Sequence, residues 1–136
     1  MADSQTHALM TIAIPPESTL AARLAVNDSA LADLVRERIE QVDRHGFSTA
    51  HDDDHNPLDL GLAAYAYATV GVDLVGGDRP DNAHHRGEGY WPFMGGFRPA
   101  EDARGNLVKA AAILLALIGH LDRARLSATL PADQAA

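Results

Sequence analysis

Ala103-Arg-Gly-Asn-Leu-Val-Lys-Ala-Ala-Ala-Ile-Leu-Leu-Ala-Leu-Ile-Gly-His-Leu-Asp-Arg-Ala-Arg125 is the stretch whose pattern decides the fold. Leu107, Ala110, Ala111, Leu114, Leu117, Ile118 and Leu121 recur at intervals of three and four, the spacing of one broad helical face. Glu101 and Asp102 stand at the positive end of that helix, and Arg123 and Arg125 at its negative end. The pattern predicts a long helix over residues 103–125.

Two further helices are expected upstream. Asp28 or Ser29 can cap the first, over residues 30–44, whose stripe is Leu31, Leu34, Val35, Ile39 and Val42. His45-Gly46 ends it. The second, over residues 58–70, reads Leu-Asp-Leu-Gly-Leu-Ala-Ala-Tyr-Ala-Tyr-Ala-Thr-Val and is apolar nearly all round. A helix of that kind is buried between others or lies at a subunit interface.

The composition agrees. The chain has 136 residues, enough for one domain with one core. Apolar residues make up 46% and aromatics 5%, with alanine prominent, which favours closely packed helices over sheets. The absence of cysteine excludes disulfides, thiolate zinc sites and cysteine nucleophiles. A formal net charge of −8 disfavours nucleic acid and anionic membrane as partners. No signal-peptide pattern opens the sequence, and the run from Ala110 to Ile118 is too short to span a bilayer. A cytoplasmic location is expected.

The fold class expected is therefore all-α. It is a small helical bundle with a long Gly- and aromatic-rich loop before the last helix, with Met10–Ile14 patterned as a short strand. Residues 1–27 form a partly ordered extension with a short helix over residues 17–26, residues 28–126 the helical domain, and residues 127–136 a flexible tail. Residues 71–100 show no obvious element, and Gly76–Gly89 within them looks like an insertion. So much apolar helix is hard to cover in a small monomer, which points to a homodimer.

Three constellations can carry chemistry. In His51-Asp-Asp-Asp-His55, imidazoles and carboxylates crowd into five residues. They suit a divalent ion, or equally a solvated acidic loop in which an Asp caps the next helix. Glu37 and Glu40 share a helix face, so they can grip one Mg²⁺ together with Asp53 or Asp54. Helical nucleotide pyrophosphohydrolases open their metal site with such a pair. The second acidic pair that those enzymes use is missing here, and an exposed charged face is the plainer alternative.

The third constellation is Trp91-Pro-Phe93 with Phe97-Arg-Pro99, followed by Arg104 and Lys109. Trp91 and Phe93 can stack on a planar ring, while Arg98, Arg104 and Lys109 can meet phosphate. Lys109 should lie beside buried residues and then needs a partner, either a carboxylate from His51–His55 or a ligand phosphate. The alternative is an aromatic plug over the bundle.

Several segments together resemble a group of small, uncharacterised helical proteins of phages and prophages. They are Arg36-Glu-Arg-Ile-Glu-Gln41, Gly46-Phe-Ser-Thr49, His51-Asp-Asp-Asp54, Leu62-Ala-Ala-Tyr-Ala66, Trp91-Pro-Phe93, Phe97-Arg-Pro99, and Arg104-Gly-Asn-Leu-Val-Lys-Ala110 running to His120-Leu-Asp-Arg123. The similarity covers residues 36–123. Departures are a missing second Trp after Trp91-Pro92, Arg98 in place of a lysine, Gly119 in place of a glutamate, and the stretch Gly76–Gly89. The resemblance implies a helical fold and a phage or prophage setting, and it brings no activity with it.

The residues thus leave three functions open. One is binding of a small phosphorylated or nucleotide-like ligand. Another is Mg²⁺-dependent nucleotide hydrolysis. The third is a structural or protein-binding dimer.

Overall fold

A computed structural model of the chain describes residues 28–45 and 54–129. These residues form four packed α-helices and no strand: α1 (Asp28–His45), α2 (Pro57–Val75), α3 (Pro80–Glu88) and α4 (Ala103–Thr129). The expected strand over residues 10–14, the helix over 17–26 and most of the polar loop expected over 47–57, up to residue 53, lie outside the described residues, as do residues 130–136. By its backbone contacts the chain divides into Met1–Leu31 and Ala32–Ala136, and the core belongs to the second unit.

Asn56 opens α2. Its side chain accepts a hydrogen bond from the Leu58 N–H at 2.9 Å, and Pro57 follows at the first helical position. Proline suits that place because its missing N–H would be unpaired there anyway. The helix cap is thus Asn56, not one of the neighbouring aspartates. By length and composition α2 would suffice to cross a membrane, yet Leu60, Ala63, Ala66, Tyr67 and Val70 are buried in the bundle.

The stretch expected to lack structure is largely helical. α2 continues past Val70 to Val75, and Pro80–Glu88 forms a helix of its own. Gly71 does not end α2, because it is where α4 comes close: a Cβ there would fall 2.7 Å from Leu107. Gly77, at a φ of 87°, makes the turn, and Pro80 starts α3 rather than breaking one. Asp81 lies in the first turn of α3, and His85 and Arg86 in its last, so the charges match the helix dipole. Arg86 reaches back to Asp73, at 2.7 Å, and to Asp78, tying α3 to the end of α2.

α3 rests on α2 through its small residues. Ala83 is fully buried, and a Cβ on Gly87 would fall 2.5 Å from Val70 Cγ2 and 2.7 Å from the Ala66 carbonyl oxygen. α4 runs antiparallel to α2, since Gly61 lies beside Leu117 and Gly71 beside Leu107. Alanines fill the seam: Ala63, Ala64 and Ala110 join Tyr67 and Ile113 in the core, with Trp91, Phe93 and Phe97 packed against it. Alanine lets helix backbones approach, and the loop aromatics fill the volume it leaves. Full burial of one large apolar side chain contributes about 1.5–3 kcal/mol, and the half-buried aromatics contribute correspondingly less.

The chain between α3 and α4 is pinned by fully buried Asn106. Its amide nitrogen donates to the carbonyl oxygens of Ala100 (2.9 Å) and Asp102 (2.8 Å), and its oxygen accepts from the Ala100 N–H at 2.9 Å. Asp102 caps α4 by accepting from the Gly105 N–H at 3.1 Å. α4 then extends to Thr129, a turn beyond its expected end.

Candidate functional site

One cavity of about 370 Å³ opens between α1, α2, α4 and the aromatic segment. That volume lies within the range of small-molecule sites, ~300–1,000 Å³. Tyr67 and Ile113 lie against the core, Trp91, Phe93 and His55 form an aromatic wall, and Glu37, Gln41, Arg98 and Lys109 supply the polar groups.

The wall owes its shape to local chemistry. Gly95 and Gly96 have φ of 71° and 83°, values that side-chain-bearing residues rarely adopt, and they fold the segment back on itself. The Trp91 indole N–H then donates to the Gly95 carbonyl at 2.7 Å. With its donor satisfied inside the segment, the indole offers the cavity its apolar surface. Phe93 meets it edge-on at 5.3 Å, and the His55 ring lies 5.1 Å from Phe93. Tyr67 meets Trp91 edge-on at 5.5 Å, and its hydroxyl accepts the Arg98 N–H at 3.1 Å. Burial pushes the Tyr67 phenol above its ordinary value, so it stays protonated near neutral pH.

Lys109 is set more deeply than Arg98, the other cation in the cavity lining. Its side chain is 27% exposed, and its Nζ lies 3.8 Å from Glu37 Oε1 and 5.7 Å from the centre of the Tyr67 ring. Gln41, nearly fully buried, donates to the same Glu37 oxygen at 3.4 Å. Among the described residues the carboxylate that meets Lys109 is thus Glu37, while Asp52 and Asp53 of the His51–His55 run lie outside them. The 3.8 Å separation leaves the ammonium within reach of an incoming anion.

Of the ligand-binding candidates, the structure brings Trp91, Phe93, Arg98 and Lys109 together around the cavity. Arg104 is elsewhere: its guanidinium pairs with Asp33 at 2.8 Å, at a neighbouring groove that Glu37, Glu40 and Lys109 also line. Hydrogen bonding from Arg104 holds the Asp33 carboxyl below its ordinary value. Of the metal candidates, Asp53 lies outside the described residues and Asp54 is exposed. Glu37 and Glu40 stand among cations at the groove, and no group of three His, Asp or Glu side chains suited to a metal occurs among the described residues.

Sequence reasoning missed Tyr67 and Gln41. Gln41 stands four residues after Glu37, so both project from one side of α1. That spacing was the available signal. Tyr67 had none that separates it from Tyr65, which is exposed. No family model, curated protein or solved structure matches the chain.

Proposed function

We propose that the chain is a binding protein for a small anionic ligand carrying a planar ring, of the nucleotide class. The observation that carries this reading is the place of Lys109 in a cavity walled by Trp91, Phe93 and Tyr67. Arg98 lines the same cavity, so among the described lining residues two cations face one carboxylate, Glu37, a balance that suits an anion although the whole chain is acidic. A base or other flat ring stacks on the apolar wall, and the phosphate meets Lys109 and Arg98. In the phage or prophage setting expected from the resemblance, such a protein would sequester a nucleotide.

The chain's one tryptophan stands in the cavity wall, so indole emission reports ligand entry. Titration with nucleoside monophosphates, cyclic dinucleotides and nucleotide sugars should give saturable quenching for at least one of them, while inorganic phosphate alone gives little. Lys109→Met should weaken that binding by at least tenfold. Unchanged emission and no thermal stabilisation at millimolar concentrations of all three classes would remove the proposal.

A further inference from the structure

The antiparallel pair α2 and α4 has two broad faces. One holds the cavity, through Tyr67, Lys109 and Ile113. On the other, Leu58, Tyr65 and Val72 of α2 and Leu107, Leu114, Ile118 and Leu121 of α4 are exposed, each between 38% and 64%. Helical spacing puts these side chains on one side of the pair. Leu58, Tyr65 and Val72 are seven residues apart, as are Leu107, Leu114 and Leu121. The antiparallel register set by Gly61 beside Leu117 and Gly71 beside Leu107 aligns them in three layers: Leu58 with Leu121, Tyr65 with Leu114, and Val72 with Leu107.

From this arrangement we infer that the face is the contact of a symmetric homodimer, in which α2 and α4 of two copies form a four-helix bundle. Two features select a second copy as the occupant. First, a seven-residue repeat on two neighbouring helices is what knobs-into-holes packing requires. An antiparallel pair bearing it is matched by its own twofold-rotated image, as an isologous contact demands. Second, the area is right. The exposed side chains present on the order of 700–800 Å², close to the ~800 Å² that each partner contributes to a stable interface. That is more than a monomer ordinarily leaves to water. Lys, Arg, Asp and Glu are absent from this side of α2 between Leu58 and Val72, so no charge has to be desolvated there.

The test is the mass of the full chain in solution, by light scattering or sedimentation at about 10 μM. A dimer is expected. Leu114→Glu and Ile118→Glu should each give a monomer with unchanged far-ultraviolet circular dichroism, and His85→Glu, on exposed α3, should leave the dimer intact. A further measurement does not depend on charge. Single cysteines introduced as Ile118→Cys or His85→Cys into this cysteine-free chain and spin-labelled should show a shorter distance between copies at 118 than at 85. A monomeric full chain overturns the inference. So does a dimer indifferent to Leu114→Glu and Ile118→Glu, a longer distance at 118 than at 85, or a monomer that binds neutral phospholipid vesicles through this face.

Discussion

Lys109 Nζ lies 3.8 Å from Glu37 Oε1, joining α4 to α1 in the lining of the cavity. The pair is partly screened by water, so its contribution to stability is small, about 1 kcal/mol or less. Its consequence for recognition is larger, because Glu37 competes with any anion for the same ammonium.

Glu37→Gln should therefore tighten binding of a phosphorylated ligand by about three- to tenfold, while Lys109→Met weakens it by at least tenfold. Both variants should unfold within about 1 kcal/mol of the parent chain in urea. Isothermal titration with the best nucleotide from the fluorescence survey checks the first part. Equal loss of affinity in both variants would contradict it.

Asn106→Ala should destabilise the protein by about 1–3 kcal/mol, because a fully buried amide that bonds the Ala100 N–H and the Ala100 and Asp102 carbonyls is lost. Urea denaturation followed by circular dichroism reads this directly. A change under 1 kcal/mol would mean that water replaces the amide there.

Gly87→Ala should cost about 1–3 kcal/mol by forcing α3 off α2. The added methyl meets the Ala66 carbonyl, which cannot rotate aside. For a chain of this size the midpoint of thermal unfolding should fall by roughly 3–5 °C per kcal/mol.

Asp33 is held below its ordinary carboxyl value of 3.8, chiefly by the hydrogen bond from Arg104. A carboxyl depressed in the folded state contributes stability that is fully present above its unfolded value, and loses it as pH falls through the folded value. The stabilisation is therefore present at neutral pH, and its loss is confined to pH below about 4. In Arg104→Gln the Asp33 carboxyl should titrate higher than in the parent chain, as followed by its ¹³C shift. An unchanged titration would show that Arg36, 2.6 Å away, suffices alone.

The long helices were legible because their apolar spacing is a local property of the sequence. α3 was not, since Gly76, Gly77 and Pro80 read as breakers when seen in isolation. In the fold the glycines make the turn and the proline begins the next helix. At the site, Trp91 and Lys109 line one cavity, in keeping with the sequence grouping of the aromatic segment before α4 with the cations that follow it. Arg104 could have been excluded from it, because five residues along a helix separate two side chains by about 140°. The role of Glu37 was not readable, since nothing local states which side of α1 turns toward α4.

The two faces of the α2–α4 pair carry a practical consequence. Tyr67 and Lys109 point one way, and Leu114 and Ile118 the other. Changes at one set lie beyond direct contact with the other and should combine additively. Under the two proposals above, assembly and recognition would drift separately, and a variant that blocks self-association would make a clean monomeric reagent with the cavity intact.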